Sequence, residues 1–128
     1  MGMGNVAGLN DIVIGSVTFR GHDEIIAVTD TGLDSSHPAL TNRILVAYTL
    51  GRPGQTNDIE GRGTHVCGSV LGDSTDVNGL TIQGTAPEAR LVIQSISDRN
   101  GGLGGTLVHL DTLFAQAYND DARVHGTS

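Results

Sequence analysis

The chain has 128 residues, enough for one domain but short for two. Apolar residues make up 38% of it and charged residues only 16%, a composition that argues against disorder, and its apolar runs are too short to span a bilayer. The formal net charge is −7, and an acidic chain without a basic cluster is not expected to bind nucleic acid or a membrane surface.

The predicted elements alternate between strands and helices. The continuous β-branched run Glu24–Thr29 predicts a strand buried on both faces, which a turn signal ends at Asp30. Further strands are predicted over 44–49, over 90–96 and from 122 onward, with long loops over 51–63 and 73–84. This order, with the two helices described next, predicts an α/β fold of three layers around a mostly parallel sheet, with residues 1–128 forming a single domain.

Two helices are predicted. The first covers 64–72, with Thr64 as its N-cap, and the second covers 106–119, with Thr106 as its N-cap. Apolar residues of the second helix recur at spacings of three and four, which predicts one buried face formed by Leu107, Leu110, Leu113, Phe114 and Ala117.

Asp30 and His65 have the chemistry of half a hydrolytic site. Asp30 follows a buried strand, and active regions of open α/β sheets lie off the carboxyl ends of strands. On its own, an Asp in this position is equally typical of a turn. His65 lies near the predicted start of a helix, where the macrodipole lowers the pKa of an imidazole and lets the neutral ring act as a base. A carboxylate bonded to one ring nitrogen would fix its tautomer.

Three segments resemble motifs of the subtilisin-like serine peptidases, the subtilases, and they occur in the family's order. Val28–Asp34 is similar to the Asp motif, Gly61–Gly68 to the His motif, and Gly84–Leu91 to the segment that leads into the next core strand. The loop Gly101–Gly105 and residues 117–125 resemble the oxidatively stable alkaline subtilases in particular. The resemblance implies a subtilisin-like, Rossmann-like fold, serine endopeptidase activity on peptides or proteins, and a secreted location, although the chain shows no export signal.

The resemblance also implies roles for individual residues. Asp30 would orient the imidazole of His65 and stabilise its charged form, and His65 would be the general base and then the general acid. Gly102, Leu103 and Gly104 would form a loop edge that accepts an extended substrate by strand addition, the alternative being a plain mobile loop. No cofactor is implied.

The usual nucleophile motif, G-T-S-M-A, and the oxyanion-hole motif, A-A-G-N, do not occur in full in this sequence. We therefore expect a truncated, N-terminal part of a catalytic domain with weak or no peptidase activity alone. Two interpretations of Gly126-Thr127-Ser128 stay open: an altered remnant of the family's substrate-binding strand, or a nucleophile motif in which Ser128 completes a minimal hydrolase or esterase. A third hypothesis is a non-catalytic binding or assembly module.

Three further expectations concern the rest of the chain. A sheet that lacks its later strands exposes an edge, which predicts a homo-oligomer formed through that edge. Asp73, Asp76 and Asn78 could offer oxygen ligands to Ca²⁺, but their spacing favours a solvated acidic turn, so no metal site is predicted. Cys67 is either a thiol sensitive to reagents or, more in keeping with its type, a small buried packing residue.

Overall fold

A computed structural model describes residues 12–103 and 109–127 of the chain. Numbered along the chain, the elements are β1 (Ile12–Ile14), β2 (Val17–Phe19), β3 (Ile25–Asp30), β4 (Ile44–Thr49), α1 (Arg62–Leu71), β5 (Asp73–Thr75), β6 (Thr81–Gln83), β7 (Arg90–Ser95), α2 (Leu110–Asn119) and β8 (Val124–Thr127).

A four-stranded parallel sheet in the order β4-β7-β3-β8 forms the centre of the fold. The register aligns Asp30, the last residue of β3, with Ser95, the last residue of β7. Both central strands are almost wholly buried, as the sequence predicts from the apolar residues at their centres. The α/β class and the mostly parallel sheet are therefore confirmed.

One helix packs on each face of the sheet and gives the three layers. On the first face, Cys67 and Leu71 of α1 join a core with Ile26, Val28 and Leu91. On the second face, a smaller core is formed by Ala27, Val92, Ala117 and Ala122. Each described helix has ten residues, half of what a bilayer span needs.

A buried polar residue, Gln94, ties the second face together. Its Oε1 accepts a hydrogen bond from Thr29 Oγ1 at 2.7 Å and lies 2.9 Å from His125 Nε2. Its Nε2 donates to the Leu113 carbonyl at 2.9 Å and to Gln116 Oε1 at 2.8 Å. One side chain therefore joins β7 to β3, β8 and α2.

The predicted loop over 73–84 is wrong, because most of it forms the antiparallel hairpin β5–β6. The turn signal is Asn78-Gly79, and Gly79 has a φ of 82°. Asp76 Oδ1 accepts the Asn78 and Leu80 amides, both at 2.8 Å. Strands of three residues are too short for their alternation to be recognised in the sequence.

Both helices begin elsewhere than predicted. Helix α1 starts at Arg62 after Gly61, and α2 starts at Leu110 after His109, while the predicted cap Thr106 lies outside the described residues. The predicted buried face of α2 is only partly right. Its buried residues are Leu113 and Ala117, whereas Leu110 and Phe114 are exposed because the apolar stripe is wider than the contact with the sheet, and Leu107 lies outside the described residues.

Candidate active site

Asp30 lies at the carboxyl end of β3, where the sequence predicts it. Its side chain is wholly buried, and Oδ1 accepts hydrogen bonds from the Thr31 amide at 2.7 Å and from Arg62 Nε at 3.1 Å. An ionised carboxylate without water needs such donors, because an isolated buried charge is strongly unfavourable. The end of β3 therefore presents an anion that the first residue of α1 helps to neutralise.

The N-terminus of α1 is joined to the end of β3 by a cluster of hydrogen bonds. Gly61 has no side chain to cap the helix, so side chains outside the helix accept hydrogen bonds from the first amides of α1. Thr31 Oγ1 accepts the Gly63 amide at 3.1 Å and donates to Asp58 Oδ1 at 2.7 Å, while Asp58 Oδ2 accepts the Thr64 amide at 2.7 Å. The predicted cap, Thr64, is wrong, because Asp58 and Thr31 fill that role from outside the helix.

These contacts also set the protonation of Asp58. Partial burial by itself would raise the pKa of its carboxyl, but hydrogen bonds from the Thr64 amide and the Thr31 hydroxyl outweigh burial and lower that pKa below 3.8. The carboxylate stays charged at neutral pH, next to the positive end of the α1 dipole.

His65 lies one turn into α1 and is exposed. Its carbonyl accepts a hydrogen bond from Ser69 Oγ at 3.1 Å. The residue lines a cleft of about 410 Å³, whose walls also include His37, Leu40, Ser69 and Ile82. The carboxylate of Asp30 and the helix that carries His65 are thus adjacent, and the catalytic roles of the two residues stay predictions.

Arg62, an α1 residue in contact with Asp30, was not among the site residues predicted from the sequence. It occupies the variable position between the first two glycines of the segment that resembles the His motif, and attention to the motif's fixed letters passes over it. A charged residue between two glycines at the start of a helix, in a chain with an Asp predicted at a strand end, was the signal that could have identified it.

Cys67 is a packing residue, as its type favours. The side chain is fully buried in the core under α1, and the thiol is free. Burial, with the nearby charges of Asp30 and Asp58, raises its pKa to about 12. Because the thiolate is the reactive form, the thiol is inert in the folded chain.

The candidate substrate edge is partly described. Gly102 and Leu103 are exposed, and Leu103 forms an antiparallel bridge with Ser97. Asp98 closes the intervening turn: its amide donates to the Gly102 carbonyl at 2.7 Å, and its Oδ1 accepts the Gly102 amide at 2.8 Å. Gly104 lies outside the described residues, and substrate binding by this loop stays a prediction.

Ser128 also lies outside the described residues. The preceding Thr127 is the last residue of β8 and is in register with Thr29, one position before Asp30. The role of Ser128 as a nucleophile stays a prediction.

The acidic residues that could hold Ca²⁺ have other partners. Asp76 Oδ1 accepts two amides of its own turn, and Asp73 Oδ1 accepts Gln83 Nε2 at 2.9 Å. Within residues 12–103 and 109–127, no group of three or more His, Cys, Asp or Glu side chains is arranged to hold a metal ion.

Comparison with known proteins agrees with the resemblance read from the motifs. The Major intracellular serine protease of Bacillus subtilis (strain 168) is 38% identical over 90 residues, which cover 66% of this chain and 27% of that protein. The Thermophilic serine proteinase of Bacillus sp. (strain AK1) is 32% identical over 109 residues, which cover 84% of this chain and 26% of that protein. The Subtilisin of Bacillus sp. (strain TA39) is 42% identical over 71 residues, which cover 52% of this chain and 16% of that protein.

The chain therefore spans about a quarter or less of these curated relatives. The model of the Peptidase S8 group, described as the subtilase family, matches residues 21–128. The chain belongs to the subtilase family.

Proposed function

We propose that the chain is a segment of a subtilase-type serine peptidase domain that supplies Asp30 and His65 as orienting acid and general base, and that has weak or no peptidase activity alone. One observation carries the proposal: the buried carboxylate of Asp30 lies against the first turn of the helix that bears His65. The hydrogen bonds from Thr31 and Asp58 to the amides of that turn hold the two elements together.

In this proposal the imidazole of His65 takes the proton of a hydroxyl nucleophile and returns it to the leaving group. The carboxylate of Asp30 stabilises the imidazolium between these steps. The nucleophile and the oxyanion donor are the parts that this sequence lacks in their usual motifs. Loss of an oxyanion donor alone reduces the rate by about 10²–10³, which is why we propose little or no turnover.

A fluorophosphonate probe tests the reaction class. The expected result is no covalent labelling and no cleavage of a chromogenic peptide ester above the rate of buffer. Labelling of Ser128, located by mass spectrometry and abolished by Ser128→Ala, would instead establish the minimal serine hydrolase. The matched control is Ser35→Ala, which changes an exposed serine in a loop.

A non-catalytic peptide-binding or assembly module is the second candidate, and the exposed loop edge, where Leu103 forms an antiparallel bridge with Ser97, favours it. In this candidate an extended peptide adds to the loop edge at Gly102 and Leu103. Chemical-shift changes of those two amides on addition of an uncharged peptide, without cleavage products, would support it.

Two further proposals concern assembly and location. Strand β8 is an edge of the described sheet, and Val124 on it is exposed, so we propose that two chains associate through this edge. We also propose the extracellular location that the family resemblance implies. One relative is named an intracellular protease, so the alternative is an intracellular location. Cell fractionation decides between the two locations.

A further inference from the structure

The loop between β4 and α1, residues 50–61, lies wholly within the described part of the chain and has a charged side chain as its only buried residue. Arg52 is 3% exposed, whereas every other residue of the loop is partly or fully exposed. Burying a guanidinium is strongly unfavourable unless oxygen atoms replace the water around it, because the group stays charged inside the protein. Arg52 therefore needs acceptors at fixed positions.

Three hydrogen bonds supply those acceptors. The Nε of Arg52 donates to the Ser97 carbonyl at 3.2 Å, its Nη1 donates to Asn57 Oδ1 at 3.0 Å, and its Nη2 donates to the Asn57 carbonyl. Ser97 is itself buried. Because a guanidinium spreads its donors in a rigid planar fork, these bonds set both the distance and the angle between the two segments that carry the oxygens.

The first of the two segments contains the residue that caps α1. Asn57 directly precedes Asp58, whose carboxylate accepts hydrogen bonds from the Thr64 amide and the Thr31 hydroxyl. Arg52 holds Asn57 through its side chain and its carbonyl, so the backbone that leads into Asp58 is fixed. The cap of the helix is thus placed by a buried residue of the same loop.

The second segment is the base of the candidate peptide-binding edge, the edge loop over residues 97–103. Ser97 follows β7 and forms the antiparallel bridge with Leu103. Asp98, the next residue, closes the turn through two hydrogen bonds with Gly102. Arg52 is therefore bonded to both walls of the candidate site, to the loop that caps α1 on one side and to the edge loop on the other.

We propose that Arg52 is a positioning residue of the candidate site, whose guanidinium couples the capped start of α1 to the edge loop, so that the two walls keep one arrangement. This role rests on the proposed function, because it concerns the helix that bears His65 and the edge that would receive a peptide. It deepens that function by naming a residue that controls the site without touching substrate or reacting atoms.

The test is NMR of the full chain with one probe on each wall. The first probe is the pKa of the Asp58 carboxyl, and the second is the hydrogen-exchange rate of the Gly102 amide. Arg52→Met removes every donor and is expected to raise the pKa of Asp58 toward 3.8, because the bonds that lower it loosen. It is also expected to speed exchange at Gly102 roughly fivefold, the effect of weakening by one hydrogen bond. Arg99→Met, which changes an exposed arginine of the edge loop, is the control and is expected to leave both probes unchanged.

A second substitution separates coupling from a merely structural role. Asn57→Ala perturbs the first wall alone, at an exposed residue. It is expected to speed exchange at Gly102 when Arg52 is present and to have no such effect in the Arg52→Met background, since coupled residues give non-additive effects. If Arg52→Met does not fold, Arg52→Lys serves as the background, because lysine keeps the charge but lacks the planar fork.

Two results would overturn the inference. One is an Arg52→Met chain in which both probes match the parent. The other is an Asn57→Ala effect on Gly102 that is equal in both backgrounds, zero included, because the walls are then not coupled through Arg52. Neither result bears on the chemistry of Asp30 and His65, so the proposed function stands if the coupling fails. Labelling of Ser128 by the fluorophosphonate probe would overturn the proposed function and leave the coupling intact.

Discussion

The first turn of α1 passes so close to the end of β3 that a Cβ on Gly63 would lie 2.1 Å from the carbonyl oxygen of Gly32. Both partners of this contact are backbone, so neither can move aside without disturbing the candidate site. We expect Gly63→Ala to lower the free energy of unfolding by roughly 2–3 kcal/mol, as overpacking does. Urea denaturation followed by circular dichroism measures the change.

Gly68 in the same helix is the matched control. A Cβ there would meet nothing within 4 Å, and alanine is a better helix former than glycine by about 1 kcal/mol. Gly68→Ala is expected to leave the protein as stable as before or slightly more stable. Equal effects of the two substitutions would contradict the close contact.

Asp58 should matter for the attachment of α1 because it accepts both the Thr64 amide and the Thr31 hydroxyl. Loss of such a cap costs about 1 kcal/mol, which is the effect expected of Asp58→Ala on the free energy of unfolding. The lowered pKa of this carboxyl adds a pH signature: its stabilising contribution is present above pH 3.8 and is lost as the pH falls through the lower value of the folded state.

Melting temperatures between pH 2 and 5 show this signature as a steeper acid loss in the parent chain than in Asp58→Asn. Asp23→Asn is the control, because Asp23 is almost fully exposed and its positive φ suits asparagine. If Asp58→Asn keeps the full acid dependence, Asp58 is not the group responsible.

His125 should make the second face of the sheet sensitive to acid. Gln94 Oε1 can only accept, so His125 Nε2, 2.9 Å away, carries the proton, and the buried Nδ1 has no hydrogen-bond partner within the described residues. Burial lowers the pKa of this ring below 6.5. The unfolded chain therefore takes up the proton first, and stability is lost as the pH falls below about 6.5.

Unfolding free energies measured from pH 8 to 5 are expected to fall less in His125→Gln than in the parent chain. His22→Gln, which changes an exposed ring, serves for comparison and is expected to follow the parent. A pH profile that His125→Gln does not alter would remove His125 as its cause.

The rate at which the buried thiol of Cys67 is modified measures how often the core under α1 opens. With a pKa of about 12 and no exposed surface, the thiol is expected to react with a disulfide reagent at least tenfold more slowly in buffer than in 6 M guanidinium, a ratio set by the small population of open chains. Rapid modification of the folded chain would show that the core under α1 is open.

The proposed pairing of two β8 edges predicts that a charge at Val124 favours the monomer. Val124→Lys is expected to shift sedimentation velocity profiles at tens of micromolar toward the monomer, because lysine on an edge opposes strand pairing. Val77→Lys adds the same charge at a fully exposed hairpin residue and is expected to leave the profile unchanged. A monomeric parent chain would refute the pairing.

The sequence predicted those parts of the fold that depend on residues close to one another in the chain. Asp30 was located at a strand end because the run before it is unbroken and apolar. The start of α1 was misplaced because its amides are satisfied by Asp58 and Thr31, which no local pattern connects to the helix. Arg62 was missed for a similar reason: its partner lies 32 positions away in the chain, and only the folded backbone brings them together.

The amide of Gln94 also restricts how the strands can align. Side chains alternate between faces along a strand, so a slip of β8 by one residue would carry His125 to the opposite face and leave Gln94 Oε1 with one donor fewer in a dry interior. Misaligned arrangements of the sheet are therefore penalised by a single hydrogen-bonding group. Gln94 therefore adds a polar requirement for the native register to the one that apolar packing already imposes.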